Sequence, residues 1–427
     1  MSQFKNPFSK RPSEGSDAEA AEFFLNMVKN EMATMEMQQD AKSCAGPSAI
    51  LTLAVPLPAS ETAGWFGGSP RLPRDVAWPE IDCTPLCFLA QIDLSKVSQD
   101  IWSGVGPRQG QFAFFIHPKE AKVKVLHVDG DLIKRLGPSP TSSHWFLKHH
   151  DLRPSYSAYF REWPVRLTDN TGELPEPVGW RKGYAPNFPQ PLEGEVFTPS
   201  HPAHHPYNEA TLQALVDMCG TELTKRLDAT VWFLQEKKLK EDVQSALTEF
   251  RDSLRASFRR FEQIRSDLAP HCVTFDYDNI GESIKALCAL DFGETRYHSN
   301  DDEGYAVVSV TKGKLADYLS GYLNVLAAHA KDTYLENPET FAEPARERFE
   351  ALWAFDALHE RGGMSHPPKG FIYRPHGPNS PNEVLLELPT SNLIGWIFGD
   401  MYSLVLTIAR EDLAAGNLDN VMVDITN

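Results

Sequence analysis

The chain has 427 residues, room for two or three domains at about 150 residues each, and its 41% hydrophobic and 11% aromatic content is that of a core-forming chain. A formal charge of -17 argues against a general nucleic-acid binder, which needs Lys and Arg to meet phosphates. No apolar run approaches the roughly 20 residues of a bilayer span, and the six cysteines (Cys44, Cys83, Cys87, Cys219, Cys272, Cys288) are too sparse and irregular for a disulfide framework.

In chain order, residues 1–17 are polar, lack an apolar signal core, and are expected to be disordered. Residues 18–40 carry Phe23, Phe24, Met27, Met32 and Met35 near helical spacing and predict a helix. Residues 48–57 read as a strand stopped by Pro56 and Pro58. A Gly-, Pro- and Trp-rich loop follows over 64–79, of the kind that often lines sites. The apolar, aromatic runs 88–94 and 111–116 predict two paired strands, joined through Gly104, Gly106, Pro107 and Gly110, and 123–128 predicts a further strand. Residues 138–207 hold many of the 32 prolines and are expected to be coil with short strands.

The texture changes near residue 208. Leu212, Leu215, Cys219, Leu223 and Leu227 form one helical stripe. Leu239, Val243, Leu247, Phe250, Leu254, Phe258, Phe261, Ile264 and Leu268 form another. The break at residues 236–238 predicts a hairpin of two helices. Further helices are expected at 280–290, 315–334 and 344–359, the last opened by Pro344. Strands then return at 384–388 and 402–408, around a joint with Gly395, Gly399 and Asp400, and 421–423 closes the chain.

The order strand, Gly-containing joint, strand thus occurs at both ends. The expected fold is α+β: two similar antiparallel β-units packed together, with a long, mainly helical insertion between them. The expected divisions are 1–17, a β-rich unit over 18–207, the insertion over 208–360 and a second β-unit over 361–427.

Both ends resemble the YwqG-like family, a bacterial domain of unknown function (1963). The resemblance rests on Phe66-Gly67-Gly68 with Pro70, Pro73, Trp78 and Pro79, on Leu89-Ala90-Gln91-Ile92-Asp93, and on Gly110-Gln111-Phe112-Ala113-Phe114-Phe115. Near the C-terminus it rests on Leu385-Leu386-Glu387-Leu388, Gly395-Trp396-Ile397-Phe398-Gly399-Asp400 and Asp412-Leu413. It covers about 50–127 and 362–424, and leaves 138–359 unmatched. Glu387 and Pro389 stand where the family tends to carry a Gln and an Asp. The resemblance implies an α+β fold and no settled activity. Some relatives sit beside toxin and immunity genes, which implies a binding role.

Gln91 and Asp93 lie two apart and face one side of a strand. They are either a polar pair at a ligand site or structural, with Gln91 satisfying a neighbouring loop's backbone and Asp93 capping the next turn. Asp400 beside Trp396 either lines a pocket or is a turn residue. His144, His149, His150, His201, His204 and His205 invite a metal, but Pro202 breaks any helical pairing of ligands, so no metal or other cofactor is expected. Cys83 and Cys87 have no second pair at zinc-site spacing. The Gly104–Gly110 stretch leads into a strand rather than a helix and is no dinucleotide loop, and the acidic stretch at 276–287 lacks the ligands of a calcium loop. Asp301, Asp302 and Glu303 read as an acidic turn.

The duplicated unit with few classical catalytic groups leads to a cytoplasmic, non-catalytic binding protein; the resemblance implies a bacterial one, with an immunity-type role as one form. Its expected cleft lies between the two β-units, lined by Gly67, Gly68, Gln91, Asp93, Trp396 and Asp400. Its expected partner is a protein or a small-molecule ligand, not nucleic acid or membrane. The alternative is a hydrolase using Asp93 or Asp400 with a histidine such as His366. A third reading is structural, with the helices driving dimerisation.

Overall fold

The structure, a computed structural model, describes residues 47–58, 62–138, 145–146, 160–171, 204–274, 277–318, 322–365 and 381–425. The expectations for residues 1–40, for His144, His149, His150, His201 and His366, and for most of the Pro-rich stretch lie outside the described residues. Within them the chain is α+β, as its patterning implies.

Among the described residues one antiparallel sheet has ten strands. In chain order they are β1 (Pro47–Leu53), β2 (Gly64–Phe66), β3 (Cys87–Asp93), β4 (Gln111–Ile116), β5 (Val123–Val128), β6 (Trp163–Thr171), β7 (Gly362–Met364), β8 (Asn382–Pro389), β9 (Ser403–Ala409) and β10 (Met422–Ile425). Across the sheet they run β10-β9-β8-β7-β1-β6-β2-β3-β4-β5, each neighbouring pair antiparallel. Strands from both chain ends therefore share one sheet, joined at its middle by β1 and β6.

The inner strands are buried on both faces, which is why they read as continuous apolar runs rather than alternating ones. On β4, Phe112, Phe114 and Ile116 enter the main core. Ala113 and Phe115 enter a smaller one with Trp65, Leu72 and Phe88. Register slips between Phe88 and Ala90 on β3 and between Val384 and Leu386 on β8, one extra residue in each case, which bends a strand and increases its twist. Two glycines permit close strand approach: a Cβ on Gly64 would strike the Gln91 carbonyl, and one on Gly362 the Glu387 carbonyl.

The segment between β3 and β4 binds the two ends of the chain. Trp102, Ser103 and Gly104 take φ of 55°, 56° and 79°, left-handed values that cost a non-glycine residue roughly 1–2 kcal/mol each. Tertiary bonds hold them there. Trp102 Nε1 donates to the Val384 carbonyl (3.0 Å), the Trp102 N–H to Ser365 Oγ (3.1 Å) and Ser103 Oγ to Glu383 (2.7 Å). The Arg108 guanidinium donates to five carbonyls, those of Gln99, Ile101, Val105, Gly106 and Pro107.

Between β6 and β7 lie α1 (Glu209–Glu236), α2 (Glu241–Thr274), α3 (Tyr277–Cys288), α4 (Leu315–Tyr318), α5 (Tyr322–Glu336) and α6 (Glu343–His359); α7 (Arg410–Ala415) follows β9. The expected stripes are buried: Leu212, Leu215, Cys219 and Leu223 face Phe250, Leu254, Phe261 and Ile264 within the same core as the sheet. Asn208 opens α1 by accepting the Thr211 N–H at 2.9 Å.

Several elements are not resolved by sequence patterning, among them the short strands β2, inside the expected loop over 64–79, and β7. Residues 291–300 and 306–314 form a long hairpin, where only its acidic turn was anticipated. It is mostly exposed, so no apolar face marks its period. β6, inside the Pro-rich stretch, is a nine-residue strand at the centre of the sheet. Pro164 falls at its second position, near a strand start where a missing N–H is tolerated.

Candidate functional site

Gln91 is fully buried on β3. Its Oε1 accepts the Arg71 N–H at 2.8 Å, and its Nε2 donates to the Arg71 carbonyl (2.9 Å) and to Gln111 Oε1 (2.5 Å). The amide thereby substitutes for a strand partner to the 71–72 segment. Asp93 is half-buried and caps the next turn, accepting the Ser95 N–H at 2.9 Å.

Gly67 and Gly68 are buried, with φ of 65° and 69°. Their N–H groups donate to the carbonyls of Leu89 (2.6 Å) and Phe160 (2.7 Å). A Cβ at Gly67 would collide with the Arg161 carbonyl, and one at Gly68 with Glu162. Trp396 reaches the same place from the far end of the chain. It is fully buried, packs on Phe66 at 6.2 Å and Phe160 at 5.3 Å between ring centroids, and donates Nε1 to the Pro389 carbonyl at 2.8 Å. Asp400 is exposed in the turn before β9. Of the six residues, Gly67, Gly68 and Trp396 thus converge around Phe160, Gln91 lies one strand away, and Asp93 and Asp400 stand at turns.

A buried charged cluster beneath this place was not visible in the sequence. Arg161, 3% exposed, donates to Asp332 at 2.8 Å and to the carbonyls of Ala328 (3.3 Å) and Leu393 (3.5 Å). Lys331 Nζ donates to the Asn392 carbonyl at 2.7 Å. Glu360, just past α6, accepts Ser391 Oγ at 2.6 Å, the Asn392 N–H at 2.8 Å and the Leu393 N–H at 3.4 Å. Burial, reinforced by the charge of Asp356, pushes its carboxyl up to about 7. The cluster anchors the 391–396 loop and hence Trp396. Charged residues at a helix end ordinarily read as solvated, which is why patterning passed over them.

His205 is fully enclosed, with Nε2 at 2.8 Å from the Leu326 carbonyl, and burial pushes it down to about 4. Among the described residues no group of three or more His, Cys, Asp or Glu is placed to hold a metal ion, and no helix is long and apolar enough to cross a membrane.

The sheet coils until its first and last strands line one cavity of about 520 Å³, walled by Ile81, residues 121–123 and residues 421–424. No described strand pairs with the outer side of β5 or β10. Each is thus an edge of the sheet among the described residues. Lys122 pairs with Glu120 (2.8 Å) and Asp82 (3.1 Å) at the rim.

Fold and cleft together define an α+β protein built on one coiled antiparallel sheet, nearly a barrel, with two open edges. The chain belongs to the family described as a domain of unknown function (DUF1963), whose model matches residues 65–426. The match agrees with the YwqG-like resemblance and runs on through the middle of the chain, which the motifs alone left unmatched. No curated protein is significantly similar to the chain.

Proposed function

We propose that this is a non-catalytic binding protein whose ligand sits in the cleft between β5 and β10. The carrying observation is the cleft itself: a cavity of about 520 Å³, within the roughly 300–1,000 Å³ of ligand sites, walled by segments from opposite ends of the chain. In this reading Gly67, Gly68, Gln91, Asp93, Trp396 and Asp400 shape the scaffold rather than touch the ligand. Gln91 and Asp93 already hold backbone groups, and Trp396 is buried.

The same reading takes β2–β5 and β7–β10 as two related units joined by β1 and β6, with the helical segment as an insertion. Support comes from the matched order of a three-residue strand, a strand with one extra residue, and two further strands. Gly64 against the Gln91 carbonyl and Gly362 against that of Glu387 make the same close approach. A cytoplasmic, bacterial, immunity-type role enters on the family resemblance. The hydrolase alternative needs Asp93 or Asp400 beside a histidine such as His366, which lies outside the described residues, and no observation favours it.

A thermal-shift screen of small molecules and peptides, run on the protein and on Met422→Lys, tests the reading. Ligands that raise the wild-type melting temperature and lose their effect in the variant support it; ligands equally effective on both place the site elsewhere.

A further inference from the structure

We propose that the cleft receives an extended, apolar peptide segment carrying a Lys or Arg, which adds to β10 as an antiparallel strand. This rests on the binding reading above and names the ligand class.

The first support is main-chain chemistry. Among the described residues neither β5 nor β10 has a strand on its outer side, so alternate residues of each edge leave N–H and C=O groups for a further strand. A row of such groups at strand spacing is met in full by another extended main chain. The usual protections of an edge, Pro or Lys, are missing from Met422–Ile425, whose charged residue is Asp424.

The second is side-chain chemistry. Met422 is 37% exposed on the edge strand itself. Val421 and Val423 flank it, and Ile81 and Val123 stand on the opposite wall. A thioether beside unpaired backbone is an adaptable seat for apolar side chains. Charge supplies the rest. Among the described residues Asp424 lines the cleft without an ion pair, while Lys122 is held by Glu120 and Asp82. Three carboxylates, Asp82, Glu120 and Asp424, thus stand around one lysine at the cleft and its rim, and this net acidic charge favours a cation on the incoming segment.

Chain direction selects the edge. Ten antiparallel strands leave β5 and β10 running oppositely, so one inserted strand is antiparallel to one edge and parallel to the other. Residues 421–424 line the cavity along their length, whereas β5 contributes its first residue, Val123. Pairing therefore runs along β10, and β5 is a side wall.

The test is to pan phage-displayed random dodecapeptides on the wild-type protein, with Met422→Lys as the counter-screen. Enriched sequences are then resynthesised with and without N-methylation of every amide. Alternating apolar sequences bearing Lys or Arg are expected on the wild type. Affinity should fall at least tenfold in Met422→Lys, severalfold in Asp424→Asn, and be abolished by N-methylation. No enrichment, or affinity indifferent to N-methylation or to Met422→Lys, overturns the proposal. If small molecules bind the wild type but not Met422→Lys while no peptide enriches, the strand proposal falls and the binding reading stands; if neither ligand class depends on Met422, both fall.

Discussion

Gln91 makes three hydrogen bonds from a position with no solvent access, two of them to the backbone of Arg71. Gln91→Leu fills the space but strands the Arg71 N–H and carbonyl, a cost of about 1–3 kcal/mol. Urea unfolding should show that loss, with the far-ultraviolet spectrum unchanged. Glu360 has a pH consequence. Its carboxyl is raised from an ordinary 4.5 to about 7, by burial first and Asp356 second. The folded state therefore holds a proton that the unfolded state has released. The stability from that proton is full below about 4.5 and is lost as pH rises past about 7. Glu360→Gln cannot titrate, so its stability relative to wild type should improve between pH 5 and pH 8 in paired urea titrations; parallel curves would refute the assignment. The same-side placement of Gln91 and Asp93 was legible from their spacing, and the structural alternative for each matches the bonds they make. Glu360 was not legible, because its partners Ser391, Asn392 and Leu393 lie about thirty residues away and only the fold brings them in.

At the scale of elements, the segment between β3 and β4 is the clasp between the chain's ends. Ser103 Oγ and Arg410 Nε both donate to Glu383 Oε1 at 2.7 Å, so a hydroxyl from one end and a guanidinium from the other share one carboxylate, itself 6% exposed. A double-mutant cycle on Ser103→Ala and Glu383→Gln should give a coupling of about 0.5–3 kcal/mol in unfolding free energy, the range for side chains in one network. Additive effects would mean that the clasp carries no energy. The joint was readable as a turn from Gly104, Gly106 and Gly110. Its left-handed run was not, since Trp102 and Ser103 have no intrinsic preference for those angles and tertiary bonds impose them. The helix pair 209–274 was readable because each partner buries a continuous stripe. The hairpin at 291–314 escaped because it buries too little to impose a period.

For the whole molecule, strand order is what turns two ends into one body. β1 and β6 sit between the β2–β5 and β7–β10 groups, and β6 comes from the stretch whose prolines argued for coil. No local pattern reveals that a single strand there joins two halves of a sheet, so the curl and the cleft were invisible before the fold. The extra residues at the β3 and β8 register shifts add twist where both halves bend. The most direct measurement is the distance between the two edges. Spin labels at Lys122→Cys and Asp424→Cys, with the native cysteines replaced, report it by double electron–electron resonance. Edges lining one cavity should give a separation of a few strand spacings, roughly 10–15 Å, lengthened only by the label arms. A sheet that stays open would hold its outer strands nine spacings apart, about 43 Å, and a distance near that value would contradict the coiled sheet and the cleft with it.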